Sequence, residues 1–185
     1  MSSAKIRIFV RLMIVAALAA TTAGCFQPMY AEHADGTPGL REKLAGVELP
    51  QLHYPNASQE ARLGVEIRNA LAFKLYGSAT GSTPTHHLDI KLQLSRSSLI
   101  INQATGLPSS ENVGVDAQYN LIENGTNKSV MTGTTFSRVT YDLPGQNQLQ
   151  LFARDRALRD AEDRAAQEIA NNIQTRLASF FFTGT

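Results

Sequence analysis

LDIKLQLS, Leu88–Ser95, is the stretch that decides the fold: Leu88, Ile90, Leu92 and Leu94 alternate strictly with Asp89, Lys91, Gln93 and Ser95. A period of two sends successive side chains to opposite faces of a strand, so this segment has an apolar face to bury and a polar face to leave in water. A sheet of such strands is covered on one side only. The alternation returns in VGVDAQYNL, where Val113, Val115, Ala117, Tyr119 and Leu121 share one face and Gly114, Asp116, Gln118 and Asn120 the other. A polar connection, about Gln103 to Glu111 with Gly106 and Pro108, separates the two. Glu123-Asn124-Gly125-Thr126 holds an Asn-Gly pair, which favours a tight hairpin because both residues accept positive φ. A threonine-rich segment, about Ser129 to Tyr141 with Val130, Phe136 and Val139, has the composition of a further long strand.

Cover for the apolar face comes from either side in sequence. Upstream, Val47-Glu48-Leu49 starts an alternation that Pro50 breaks, as in a short edge strand. Asn56 or Ser58 then offers a helix cap, and Leu63, Ile67, Ala70, Leu71 and Leu75 recur at helical spacing until Gly77 supplies a stop. Downstream, Asp142-Leu143-Pro144-Gly145 ends the sheet, and Asn147 with Gln150 opens a long helix in capping-box fashion. Leu151, Leu158, Ala161, Ala165, Ile169, Ile173, Leu177 and Phe180 trace its apolar face. Asp155, Arg159 and Asp163, and beside them Arg156, Asp160, Arg164 and Glu168, form charged rows. The expectation is an α+β fold, two helices packed on one face of a mostly antiparallel, mixed sheet of about four strands, in the order β-α-β-β-β-α. The other sheet face stays free for a partner.

The N-terminus reads differently. Lys5, Arg7 and Arg11 precede a short apolar run, Leu12 to Ala20, and then small residues, which is the layout of a secretory signal. The run is too short and too interrupted to span a bilayer. Cys25 is the one cysteine, so it has no internal disulfide partner and is free, intermolecular or modified. Thr22-Ala23-Gly24-Cys25 resembles the lipobox of bacterial lipoproteins, in which the thiol is acylated and becomes the new N-terminus. Phe26 after it, rather than aspartate, implies sorting to the outer membrane. The chain then divides into a signal peptide, 1–24, a lipid-anchored tether, 25–45, and a single domain, 46–185. Residues 1–24 hold three of the 17 Lys and Arg and none of the 16 Asp and Glu, leaving 14 against 16, a net charge of −2. That balance does not suit a nucleic-acid binder.

Motifs for covalent chemistry fail one by one. His86 and His87 are adjacent on a strand and so point apart, with no other ligand at metal spacing. The carboxylates of the last helix alternate with arginines, unlike an acid-base pair of separated pKa. Neither a Gly-rich phosphate loop nor a serine elbow is present. No enzyme activity and no cofactor are expected.

Cys25-Phe26-Gln27-Pro28-Met29-Tyr30 after the lipobox, a helix ending Arg68-Asn69-Ala70-Leu71, the alternating strands, and a last helix beginning Leu149-Gln150-Leu151-Phe152-Ala153-Arg154-Asp155 together resemble the LPS-assembly lipoprotein family LptE, of the alphaproteobacterial type. The resemblance implies a lipoprotein of the outer membrane that plugs the lumen of an LptD-type β-barrel, assists its assembly and helps deliver lipopolysaccharide to the outer leaflet. It also implies basic residues that meet lipopolysaccharide near the sheet end and at the start of the last helix. Arg154 matches the second region, whereas Asn102 and Gln103 stand where the first has its base. Placement on strands adds Lys91, Arg96 and Arg138 as candidates. The rival is a periplasm-facing lipoprotein adaptor of an envelope lipid or solute transporter.

Overall fold

The computed structural model describes residues 38–77, 82–101, 103, 106, 108–143 and 148–184, together with Met13. Leu40–Thr185 form one unit and Met1–Gly39 another, of which Met13, Pro38 and Gly39 are described. In chain order the elements are α1 (Leu40–Ala45), β1 (Val47–Glu48), α2 (Gln59–Tyr76), β2 (His86–Ile101), β3 (Pro108–Glu123), β4 (Lys128–Asp142) and α3 (Gln148–Thr183). The strands lie in the order β1-β2-β3-β4. β1 runs parallel to β2, and the remaining pairs are antiparallel. This is the expected α+β fold with a mixed sheet.

Each long element forms for the reason its sequence gives. Ser58 caps α2, its Oγ accepting the Ala61 N–H at 3.0 Å, and Gly77 ends the helix at φ 66°, its N–H donating to the Phe73 carbonyl. Only glycine adopts that left-handed conformation without a Cβ penalty. The α2 stripe Leu63, Ile67, Ala70, Leu71 and Leu75 is buried throughout. It meets Leu88, Ile90 and Leu92 of β2 and Val113, Val115, Ala117 and Leu121 of β3 in one core, closed by Ala161, Ala165, Ile169, Ile173 and Leu177 of α3. Register pairs Leu88 with Leu121, Ile90 with Tyr119 and Leu92 with Ala117, so the apolar alternates of the two strands share a face. The polar alternates Asp89, Lys91, Gln93 and Gln118 are exposed on the other.

Three differences from the sequence reading have physical causes. α1 is an added helix in the Gly- and Pro-containing lead-in, where Leu40 and Leu44 sit one turn apart and are both buried. Two apolar residues are too few to show a period. The strands are also longer than their alternation, because backbone pairing carries β2 and β3 past Ser95 and back to Pro108. Proline is tolerated there as the first residue of a strand. Finally, the apolar stripe of α3 is buried from Ala161 to Leu177 and half-buried at Leu158 and Phe180, while Leu151 and Phe152 are exposed, Phe152 by 78%. α2 has 18 residues against 36 in α3 and meets it from Gln59 and Arg62 at Glu162. Among the described residues the first turns of α3 therefore have no helix beside them.

Candidate functional site

Among the described residues the polar face of β2, β3 and β4 carries no helix, and its side chains are organised. Arg138 of β4 donates from Nη2 to both carboxylate oxygens of Asp116 on β3, at 2.9 Å each, and from Nη1 to the Ser137 carbonyl at 3.0 Å. A two-pronged pair of this kind fixes the guanidinium in direction as well as charge. Its Cζ lies 5.5 Å from the centroid of the Phe136 ring, within cation-π range. Gly114, directly across from Arg138, provides the room: a Cβ there would sit 3.0 Å from Arg138 Nε and 3.1 Å from its Cδ. Farther along the same face, Asp89, Lys91, Gln118, Asn120, Thr132 and Thr134 line a depression of about 460 Å³.

At one end of the helix-covered face, three elements meet around Glu111. The Tyr141 hydroxyl donates to Glu111 Oε2 at 2.5 Å, and Arg154 of α3 approaches Oε1 at 3.4 Å. Burial pushes the Tyr141 phenol up to about 12, and the hydrogen bond and negative charge of Glu111 push the same way, with Arg96 and Arg154 opposing. The folded state thus favours the neutral phenol. The resulting stability is complete below the ordinary phenol value of about 10 and is lost as pH rises from there through about 12. In an ultraviolet absorbance titration, one of the five tyrosines is expected to ionise near pH 12. Glu111→Gln should bring that midpoint down towards the others.

Next to this cluster lies a charge that the sequence reading missed. Glu162 is fully buried, paired with Arg62 of α2, hydrogen-bonded by the Gln59 amide and 3.8 Å from Arg96 of β2. Arg159 and Asp155 join them around a cleft of about 420 Å³. A signal was available: Glu162 lies four residues after Leu158 and four before Ala166, so it falls on the buried stripe rather than in the charged rows.

The candidate cations are thereby divided between the two faces. Arg96 and Arg154 stand on the helix side, near Tyr141, and each faces a carboxylate. Lys91 and Arg138 stand on the open side, on strands separated by β3. Arg138 is closed against Asp116, whereas Lys91 has no ion pair among the described residues. The four do not converge on one site. Cys25, Asn102, and Leu107 of the connection lie outside the described residues. His86 packs edge-on against Phe181, ring centroids 5.3 Å apart, and burial lowers its pKa, while His87 Nδ1 meets Asn124 Oδ1 at 2.7 Å. Among the described residues no helix is long and apolar enough to cross a membrane.

Fold and surface together define a class: a two-layer α+β domain with one organised polar sheet face and arginines paired with carboxylates on both sides of the sheet. The chain belongs to the LptE family of lipopolysaccharide-assembly proteins, whose profile matches residues 49–177. Its fold is similar to that of a candidate lipoprotein from Caulobacter crescentus CB15, with 22% identity and a TM-score of 0.62 over 79% of this chain and 97% of that one. Rare lipoprotein B from Shewanella oneidensis is similar at 16% identity and a TM-score of 0.48, over 72% and 92% of the two chains. A search of curated protein sequences finds no match to the chain.

Proposed function

We propose that this chain is an outer-membrane lipoprotein, acylated on Cys25, that sits in the lumen of an LptD-type β-barrel, assists the assembly of that barrel and helps pass lipopolysaccharide to the outer leaflet. The observation that carries the reading is membership of the lipopolysaccharide-assembly family over residues 49–177. The open sheet face agrees with it. A barrel lumen is polar and wet, and the surface turned outward here is built mainly from Asp89, Lys91, Gln93, Gln118, Thr132 and Thr134, with Phe136 an exposed apolar side chain among them. The neighbour from Caulobacter crescentus, itself described as a lipoprotein, is consistent with an envelope location. The domain stands on its own core, so it enters as a folded plug.

Copurification in detergent is the test. One large β-barrel protein is expected to accompany the chain, which should resist added protease within that complex. Recovery with soluble periplasmic proteins alone would support the adaptor reading instead.

Lysine and arginine presented on structured elements suit the phosphates of lipopolysaccharide. Reversing Arg96 or Arg138 also sets a carboxylate against Glu162 or Asp116, so Lys91→Glu combined with Arg154→Gln is the cleaner probe. Losing charge-assisted contacts is expected to weaken binding of purified lipopolysaccharide by about tenfold and to flatten its salt dependence. Unchanged binding in this variant would remove Lys91 and Arg154 as contacts.

A further inference from the structure

The two margins of the sheet differ. On the β2 margin, the His86 N–H donates to the Gly46 carbonyl beside β1 at 3.2 Å, and the Leu92 N–H donates to the Tyr54 hydroxyl at 2.7 Å. That edge is covered in part by β1 and in part by a side chain. Among the described residues the β4 margin has no strand beyond it. Which groups it presents follows from register. Leu143 N–H donates to Ser109 O at 2.8 Å, and the pairing runs without a slip from Ser110–Asp142 to Leu121–Met131. In an antiparallel ladder, pairs that exchange both bonds alternate with pairs that exchange none. The odd-numbered residues of β4 therefore bond to β3, and Thr132, Thr134, Phe136, Arg138 and Thr140 turn their N–H and C=O groups outward. No described residue bonds to those outward groups. The side chains at the same positions are exposed, Phe136 by 64%.

We propose that the free edge of β4 takes one extended segment of a partner polypeptide as a fifth strand. Proteins normally blunt a long edge with proline, charge or a bulge. Lys128–Asp142 contains no proline, and the slip in its register lies at the Lys128 end only. Between Thr132 and Thr140, Arg138 is the lone charged residue among the outward positions, and Asp116 already holds it. What remains is a neutral edge of threonines around a bared phenylalanine. Its complement is a strand with β-branched or hydroxyl residues and an apolar side chain opposite Phe136, and with no charge at its centre.

Space decides against antiparallel pairing with a second copy of this chain. α3 lies directly over β4, since the Ser137 hydroxyl donates to Glu168 at 2.6 Å and Asn172 donates to the Thr135 hydroxyl at 3.0 Å. Edge-to-edge pairing would bring a second β4 to about 4.8 Å, with its own α3 above it. Packed helices need about 8–10 Å between axes. A lone strand needs only the edge. The inference does not depend on whether the partner is a barrel or a periplasmic protein.

Hydrogen exchange tests it, comparing the full mature chain purified alone in detergent with the same chain held in the complex extracted from its envelope. The amides of Thr134, Phe136 and Arg138 are expected to exchange at least about tenfold more slowly in the complex, while those of Thr135 and Ser137 stay slow in both. A photoreactive phenylalanine analogue at position 136 should join to one contiguous segment of the partner. Thr134→Pro removes an outward donor without touching the ladder to β3. It should leave the melting temperature of the isolated chain unchanged and cut that crosslink about tenfold. Equal exchange in the two samples, slow outward amides in the chain alone, a crosslink to a second copy, or an undiminished crosslink in Thr134→Pro would each overturn the proposal. Recovery of the chain with no partner and with fast outward amides would do so as well.

Discussion

Truncating both Arg62 and Arg96 to alanine is expected to destabilise the domain by about 3–5 kcal/mol, the range found when a buried carboxylate loses its partners. Glu162 has no exposed surface, whereas the side chains of Arg62 and Arg96 are 40% and 44% exposed. The asymmetry sets the direction of the result. If the carboxylate is removed instead, as in Glu162→Leu, the two guanidinium groups swing into water and no uncompensated buried charge is left. An apolar replacement also keeps the volume between α2 and α3 filled, so that variant should lose less than about 1.5 kcal/mol. Urea denaturation of the two variants beside the parent checks the order. A Glu162→Leu loss as large as that of the double arginine variant would mean that the pair is worth its geometry rather than its charge balance.

This network also shows what the sequence could disclose. Period carried the reading of β2, β3 and α2, because each has one clean apolar face, and every stripe residue of α2 is buried. Order and strand number followed, since a half-wet sheet needs helices on one side. Glu162 escaped because a charged residue among charged rows reads as solvated, although its spacing put it on the stripe. Arg96 and Arg138 were legible as strand cations but not as residents of opposite faces. Arg96 stands two residues beyond Leu94, so alternation alone puts it on the helix side and opposite Lys91, whereas the face of Arg138 in the threonine-rich β4 is fixed by its pairing with Gly114. The Asp116 clamp on Arg138 joins residues of β3 and β4, and only pairing brings them together. The open edge of β4 is likewise a property of strand order, which no single segment encodes.

The second large effect concerns attachment. Cys25→Ala is expected to abolish processing of the leader as a lipoprotein signal and to move the chain from the membrane fraction into a soluble or uncleaved form. Among the described residues there is no spanning helix, and on the lipoprotein reading proposed above retention rests on acyl chains or on a partner. Each buried methylene contributes about 0.8 kcal/mol, and one chain alone gives only marginal binding, whereas several on one residue anchor stably. Loss of the single cysteine removes all of them together. The folded domain should survive, because among the described residues the first buried apolar side chain of its core is Leu40, well after the attachment point. Its melting temperature should therefore match that of the parent. A high-salt and urea wash of the membranes separates the two sources of retention: a lipid anchor resists it, and a chain held only by protein contacts is stripped. A Cys25→Ala chain that stays in washed membranes with the parent's mass would sink the anchor, and with it the outer-membrane address, while leaving the family and the fold in place.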